Sequence, residues 1–265
     1  MTGSSEIHPT AVIEEGAEIG AGCRIGPYCV IGPHVKIGDR LEAKAHVVID
    51  GRTTIGDDNV IYPFASIGAA PQDLKYHGEP ATLEIGSRNT IREYVTLNIG
   101  TEGGGMVTKV GDGNLFMVNV HIAHDCDVRN GVVIANGVSL GGHVTIEDNV
   151  VIGGHSGVHQ FCRVGTGAMV GALSAVVSDV VPYGTVTGDR ASLSGLNLVG
   201  LKRRGAEKAH IHGLRAAHKA IFYGEGTVRE RARAAALAHP DNPLVAEMVA
   251  FIEADSDRAL AVPNE

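Results

Sequence analysis

The stretch IGAGCRIGPYCVIGPHVKIG, residues 19–38, has an isoleucine at every sixth position, and a glycine follows each one. The same spacing of aliphatic residues starts at Ile7 and continues, with two interruptions, to Val176. A repeat of six residues is typical of a parallel β-helix, in which each unit forms a short strand and a turn on one wall of a prism. Three units close one coil, and the periodic aliphatic residues point inward. The sequence therefore predicts an all-β solenoid.

The composition agrees with this architecture and argues against other classes of protein. The 265 residues include 36 glycines and no tryptophan, so small and β-branched side chains must fill the core. A net charge of −8 argues against a nucleic-acid partner. No apolar stretch approaches the roughly 20 residues that span a bilayer, and no signal peptide is recognisable, so we expect no integral membrane segment. Four cysteines without a CxxC pair indicate free thiols in a cytoplasmic protein: Cys23, Cys29, Cys126 and Cys162.

Two segments interrupt the repeat, and a third region ends it. GAAPQDLKYHGEPATLE, residues 68–84, and NIGTEGGGMVTK, residues 98–109, leave the six-residue register and are predicted to project as loops. After about Pro182 the apolar residues recur at helical spacing instead. We therefore predict a β-helix over residues 1–190 and a small α-helical C-terminal domain over residues 191–265 that caps the prism.

The stretch HIAHDC, residues 121–126, lies where the repeat can gather polar residues from successive coils. Residues one coil apart become vertical neighbours, so His124 shares a column with Gly142 and Gln160, and Asp125 shares the next column with His143. The predicted patch on this wall and its edges contains His121, His124, Asp125, Gly142, His143, His159 and Gln160.

This patch has the residue types that acyl transfer requires. A histidine such as His124 suits general-base catalysis near neutral pH. The neighbouring carboxylate of Asp125 can orient the imidazole and stabilise its protonated form. Gly142 lets a ligand approach the backbone closely, so its N–H can stabilise an oxyanion.

Two other interpretations compete with acyl transfer. Some hexapeptide-repeat trimers are zinc-dependent carbonic anhydrases, and four histidines of this chain could supply ligands: His121, His124, His143 and His159. The zinc interpretation explains neither the flanking acyl-transfer features nor the basic segment described below. A purely structural or ice-binding solenoid would need regular ranks of exposed threonine, which this sequence lacks.

Five motifs carry a resemblance that covers nearly the whole chain. They are IHPTAVIEEGAEIG (7–20), FASIGAAPQDLKYHGEP (64–80), HIAHDC (121–126), GGHSGVHQFC (153–162) and GLNLVGLKRRG (195–205). In these motifs the chain resembles the UDP-N-acetylglucosamine O-acyltransferases, which catalyse the first step of lipid A biosynthesis in Gram-negative bacteria. The resemblance implies a left-handed coil and a homotrimer with active sites in the clefts between prisms.

The resemblance also implies a role for each matching residue. His124 would deprotonate the 3-hydroxyl of the sugar, Asp125 would orient His124, and the Gly142 N–H would stabilise the oxyanion. The acyl donor would be an acyl carrier protein with a phosphopantetheine-linked 3-hydroxyacyl chain, with no further cofactor and no metal. The implied substrate-binding residues are Gln72, Asp73, Lys75, His121, His143, His159 and Gln160, with Asn197 and Arg203 at the nucleotide end.

Three further expectations concern the donor and the acceptor. The basic cluster Lys202, Arg203 and Arg204 is either a solvated helix start or a docking site for the acidic carrier protein. Ala172 matches the position that limits acyl-chain length in the family, and a methyl group there predicts a medium-length chain. Val199 stands where the best-known members have an acidic residue. This difference leaves open whether the acceptor is the 3-hydroxy sugar or its 3-amino analogue.

Overall fold

The computed structural model describes residues 4–264, and residues 6–196 form a prism whose three walls are β-sheets. The strands of each wall pair in parallel, except for the last two strands of the first wall, which pair antiparallel. The first wall, in spatial order, consists of Glu6–Ile7, Arg24–Ile25, Glu42–Ala43, Val60–Ile61, Thr90–Ile91, Leu115–Phe116, Val133–Ile134, Val151–Ile152, Met169–Val170, Gly184–Thr187 and Ser192–Leu196. The second consists of Val12–Ile13, Val30–Ile31, Val48–Ile49, Ser66–Ala69, Thr96–Asn98, His121–Ile122, Ser139–Leu140, Gly157–Val158 and Ala175–Val176. The third consists of Glu18–Ile19, Lys36–Ile37, Arg52–Ile55, Thr82–Ile85, Val107–Val110, Asp127–Val128, Thr145–Ile146 and Arg163–Val164.

The six-residue repeat produces these walls because its aliphatic position always faces inward. Ile31 pairs with Ile49 and Ile122 pairs with Leu140 in the parallel ladders, and all four side chains have no exposed surface. Removing an aliphatic side chain from water stabilises a fold by about 1.5–3 kcal/mol, so the stacked column accounts for most of the core. The predicted solenoid of hexapeptide repeats is confirmed.

Both interruptions are shorter than the sequence predicted. The first segment without strand lies between Ala69 and Thr82, whereas residues 68–84 were predicted. The second lies between Asn98 and Val107 and includes a short 3₁₀ helix, Glu102–Gly104, whereas residues 98–109 were predicted. The reason is that the third wall keeps its backbone ladder: Thr82–Ile85 pairs with strands on both sides over four residues.

The C-terminal domain contains four helices in the described chain: α1 Leu198–Arg203, α2 Lys208–Tyr223, α3 Val228–Ala238 and α4 Pro243–Glu253. Thr227 caps α3 in a reciprocal capping box with Glu230, and Asn242 caps α4 just before its first-turn proline. The last strand ends at Leu196, so β-structure continues past the predicted boundary at 190 because Ser192–Leu196 pairs back, antiparallel, on Gly184–Thr187. Among residues 4–264, no helix combines the length and apolar character that crossing a bilayer requires.

Candidate active site

A groove of about 530 Å³ runs along the second wall. Its floor consists of the outward residues of successive strands, which lie in register from His121 through Ser139 and Gly157 to Ala175. From His121 to Gly157 the side chains shrink from an imidazole to a hydrogen atom, and Ala175 adds only a methyl group. A Cβ built on Gly157 would meet no atom within 4 Å, so the groove is open at that residue. The groove is lined by Gln72, Asn98, His121, Ala123, His124, Ser139, Leu140, Gly141, Gly142, Gly157, Val158, His159, Ala175, Val176 and Val177.

His124 and Asp125 form a hydrogen-bonded pair beside this groove. The distance from His124 Nδ1 to Asp125 Oδ2 is 2.7 Å, and the Asp125 side chain is 0% exposed. An ionised carboxylate only accepts hydrogen bonds, so Nδ1 of His124 carries the proton. The lone pair is therefore on Nε2, which is the arrangement that a general base requires.

Asp125 is held by the second projecting segment. Its Oδ1 accepts a hydrogen bond from the Thr101 backbone N–H at 2.8 Å, and its Oδ2 accepts one from the Thr101 hydroxyl. The Asp125 N–H in turn donates to the Thr108 hydroxyl at 2.7 Å. A Cβ on Gly104 would lie only 1.9 Å from the carboxyl carbon of Asp125, so glycine is required there. The sequence predicted that a loop projects at this place but did not identify Thr101 as the partner of Asp125.

The absence of a side chain at Gly142 leaves room for the His124 ring. A Cβ at this position would lie 2.5 Å from Cε1 and 2.7 Å from Nε2 of His124, so the imidazole edge rests on the glycine backbone. Within residues 4–264 the Gly142 N–H has no hydrogen-bond acceptor. Pro33 occupies the same turn position in an earlier coil, which shows that the fold does not need an N–H here. This N–H is therefore available to a ligand.

Two more histidines surround the pair in different environments. His121 Nδ1 lies 2.7 Å from the Thr96 hydroxyl, and burial, assisted by the charge of His124, lowers the pKa of His121. The His143 ring meets the His124 ring edge-on at 5.1 Å between centroids and stacks on Phe161 at 4.4 Å. Burial lowers the pKa of His143, although the nearby Asp125 carboxylate opposes this shift. Both rings therefore favour the neutral form at neutral pH.

The remaining predicted substrate residues lie around the groove at different distances. His159 and Gln72 line it directly. Asp73 and Lys75, on the first projecting segment, are near enough for their charges to influence the pKa of His143. Gln160 is exposed just beyond His159, and its backbone carbonyl accepts a hydrogen bond from Arg258 at 3.1 Å.

Other predicted residues lie outside the groove of a single chain. Ala172 is exposed in the turn between the first and second walls. Asn197 caps α1: its Oδ1 accepts from the Gly200 N–H at 2.9 Å, and its Nδ2 donates to the Gly167 carbonyl at 3.0 Å. This amide is therefore occupied by structural bonds. The basic cluster Lys202, Arg203 and Arg204 is exposed at the C-terminal end of α1, so the interpretation of it as a helix start was wrong.

One group of side chains has the spacing of a metal site. Ligand atoms of His124, Asp125 and His143 lie within 4.8 Å of one another. Asp125 Oδ2, however, already accepts hydrogen bonds from His124 and Thr101, and the His143 Nε2 lies 3.9 Å from it. An ion bound through Asp125 Oδ2 and His124 Nδ1 would have to replace the His124–Asp125 hydrogen bond, so the observed contacts favour the orienting pair.

The prism and its groove, with a histidine–aspartate pair beside a free backbone N–H, define a hexapeptide-repeat transferase. The family model described as "Bacterial transferase hexapeptide (six repeats)" matches residues 4–33. The model "Udp N-acetylglucosamine O-acyltransferase; Domain 2" matches residues 179–261. The N-terminal match is thus to a general transferase repeat, and the C-terminal match is to one particular kind of acyltransferase.

Full-length relatives identify the family. The acyl-[acyl-carrier-protein]–UDP-N-acetylglucosamine O-acyltransferase of Rhizobium johnstonii is 51% identical over 261 residues, covering 98% of this chain and 96% of that protein. The Agrobacterium fabrum enzyme of the same name is 47% identical over 265 residues, covering 100% and 98%. The crystal structure of UDP-N-acetylglucosamine O-acyltransferase from Moraxella catarrhalis superposes with a TM-score of 0.93 at 43% identity, covering 96% of this chain and 99% of that one. The chain belongs to the UDP-N-acetylglucosamine O-acyltransferase family, which confirms the resemblance noted in the sequence.

Proposed function

We propose that this protein transfers a 3-hydroxyacyl chain from an acyl carrier protein to the 3-hydroxyl of UDP-N-acetylglucosamine, the first step of lipid A biosynthesis. The observation that carries the proposal is the His124–Asp125 pair beside the free Gly142 N–H in the groove. The names of the full-length relatives supply the two substrates.

The geometry supports a simple path for the proton and the leaving group. His124 Nε2 removes the proton from the sugar 3-hydroxyl as its oxygen attacks the thioester carbonyl. The Gly142 N–H stabilises the resulting oxyanion, and Asp125 stabilises the imidazolium. When the carbon–sulfur bond breaks, the imidazolium returns the proton to the departing phosphopantetheine thiolate. Each protein group starts and ends the cycle unchanged.

The outward faces of the walls support the homotrimer that the family resemblance implies. The third wall alternates charges, for example Glu18 beside Lys36, as expected of a solvated face. The first wall instead presents an apolar column in consecutive coils: Leu115, Val133, Val151 and Met169. An apolar stripe of this kind is suited to contact with another copy of the chain.

In a trimer packed in this way, Ala172 can contact the acyl chain bound in a neighbouring copy. The turn that carries Ala172 follows Met169–Val170 of the first wall, so in a prism packed through that wall it approaches the groove of a neighbouring copy. We assign to Ala172 the end of the acyl groove, where its methyl group stops a chain of medium length.

The exposed cluster Lys202, Arg203 and Arg204 forms the docking site for the acidic carrier protein in this proposal. All three side chains are exposed, and none has an ion pair within residues 4–264. The free thiols of Cys23, Cys29, Cys126 and Cys162 fit a cytoplasmic enzyme, the compartment in which we place the reaction.

The test is an assay of the purified protein with UDP-N-acetylglucosamine and a series of 3-hydroxyacyl carrier proteins of increasing length, with mass spectrometry of the product. We expect a singly acylated UDP-sugar whose ester is cleaved by mild base. The 3-amino analogue of the sugar is the parallel acceptor. An alkali-stable amide formed only with that analogue would replace the O-acylation proposal. Light scattering of the same sample should give the mass of a trimer.

A zinc-dependent hydration activity is the second candidate, because His124, Asp125 and His143 have ligand spacing. The two functions are separated by elemental analysis and chelation. We expect no stoichiometric zinc and full acyl transfer after chelation. One zinc per subunit, with carbon dioxide hydration that chelation abolishes, would favour the second candidate.

A further inference from the structure

The last segment of the chain runs back from the helical domain to the groove. This C-terminal strap, residues 255–262, is anchored on Asp179, whose side chain is fully buried. Asp179 Oδ2 accepts hydrogen bonds from the Ser256 hydroxyl at 2.6 Å and from Arg163 Nε at 2.8 Å. The Asp179 backbone bonds to Ala259 and Ala261, one residue before and one residue after Leu260. The strap is therefore fixed to the β-helix by backbone and side-chain bonds.

The anchored strap places Arg258 against His159, a residue of the groove. Arg258 Nη2 lies 2.8 Å from His159 Nδ1, and Arg258 Nε donates to the Gln160 carbonyl at 3.1 Å. A guanidinium only donates hydrogen bonds, so His159 Nδ1 is an acceptor without a proton. The 3.2 Å approach of His159 Nδ1 to the Gln160 carbonyl is then a contact of two acceptors that Arg258 bridges.

We propose that Arg258 is a positioning residue that holds His159 with its proton on Nε2, so that His159 donates a hydrogen bond to the substrate in the groove. Within residues 4–264, Nε2 of His159 has no protein partner, which leaves it available to a ligand oxygen. Arg258 thus acts through His159 and connects the helical domain to the reaction. This inference rests on the proposed function for the identity of the substrate.

The kinetic test compares Arg258→Ala, Arg258→Lys and the matched control Arg229→Ala. Arg229 lines the same 310 Å³ cavity as Arg258 and carries the same charge, but it does not contact His159. We expect kcat/KM to fall about tenfold in Arg258→Ala, the size expected for one hydrogen bond from a charged donor. The kcat/KM of Arg258→Lys should lie between those of the wild type and Arg258→Ala. A lysine ammonium cannot bridge His159 Nδ1 and the Gln160 carbonyl as the planar guanidinium of Arg258 does. Arg229→Ala should stay within about twofold of the wild type.

A double-variant cycle shows whether Arg258 acts through His159. Adding Arg258→Ala to His159→Phe should not lower kcat/KM any further, because the imidazole that Arg258 positions is already absent. Independent, multiplicative losses would overturn the proposal, and so would equal losses in Arg258→Ala and Arg229→Ala. Unchanged melting temperatures across the set exclude a folding defect, and Arg258→Lys provides the comparison if Arg258→Ala unfolds.

Nuclear magnetic resonance of isotope-labelled histidine tests the contact without any assay. In the wild type the His159 Nδ1 should be unprotonated and hydrogen-bonded, and this signature should disappear in Arg258→Ala but not in Arg229→Ala. A protonated Nδ1 in the wild type would overturn the proposal. If the wild type transferred no acyl group to the UDP-sugar, the proposed function would fail, while this measurement would still decide the contact.

Discussion

Two corners of the prism carry stacks of rings, and both use the same left-handed turn. Between the first and second walls, Tyr28, His46, Phe64 and Tyr94 stack with centroids 5.0, 5.0 and 5.2 Å apart and planes within 17°. These four residues have φ between 58° and 65°. Between the second and third walls, Asp125, His143 and Phe161 take the same turn position, with φ of 58°, 62° and 65°.

The difference between the corners lies in what surrounds the histidine. The neighbours of His46 in its stack are the rings of Tyr28 and Phe64. At the other corner a carboxylate, Asp125, takes the place of a ring, and the imidazole of His124 turns perpendicular to that of His143. The projecting segment then adds Thr101 to fix the carboxylate. The repeat places a histidine at both corners, and of these two the corner between the second and third walls provides an orienting acid.

Loss of the histidine ring should have very different consequences for activity at the two corners. His124→Ala should slow acyl transfer by about 10²–10⁴, because the general base is lost. His46→Ala, the matched control, should keep turnover within about twofold of the wild type, because its ring only stacks. Initial rates with a carrier-bound acyl donor measure both. Comparable losses in the two variants would mean that ring stacking, not base catalysis, explains the first result.

The orienting acid should be the next most sensitive part of the site. Thr101→Val removes the hydroxyl that donates to Asp125 and keeps the side-chain shape. A hydrogen bond to a charged group contributes about 1.5–3 kcal/mol, so kcat should fall about ten- to a hundredfold. Thr96→Val, which removes the hydroxyl beside His121 instead, is the control. We expect it to affect KM more than kcat, and the reverse pattern would count against the orienting role.

Substitutions at Ala172 should change acyl-chain selectivity by smaller factors than the rate losses expected at His124 and Thr101. Ala172→Gly should shift the preferred donor to longer chains, and Ala172→Met should shift it to shorter ones. Each methylene that fits contributes about 0.8 kcal/mol, or close to fourfold in affinity. Competition between carrier proteins of different chain length measures the preference. If both variants keep the wild-type preference, Ala172 is not the end of the groove.

The smallest effect concerns docking of the carrier protein. Arg203→Glu combined with Arg204→Glu should raise KM for the carrier-bound donor several-fold and leave kcat unchanged. The reason is that exposed charges at the edge of an interface mainly change the rate at which the two proteins associate. Added salt should raise the wild-type KM in the same direction, since exposed charges are screened over about 10 Å at 0.1 M. The control reverses an exposed ion pair between α3 and α4, Arg233→Glu with Glu253→Arg. No response to salt or to charge reversal would place docking elsewhere.

The sequence predicted the contacts that the six-residue repeat determines, and it missed contacts made by residues outside the repeat. The inward position of Ile122, the shared column of His124 and Gly142, and the solenoid itself all follow from residues spaced one coil apart. Thr101 and Arg258 reach the site from a segment outside the register and from the far end of the chain. No period connects them to His124, so only the folded chain brings them together. The structural use of the Asn197 amide as a helix cap was missed for the same reason.

The role of His124 as the general base can be tested by adding imidazole to the His124→Ala variant. The vacated space over Gly142 lets a free imidazole take the place of the missing ring. We expect negligible transfer by His124→Ala without imidazole and a rate that rises with the imidazole concentration, while wild type and Thr101→Val show no such rise. Near-normal turnover of His124→Ala without imidazole, or a rate that imidazole leaves unchanged, would mean that His124 is not the base.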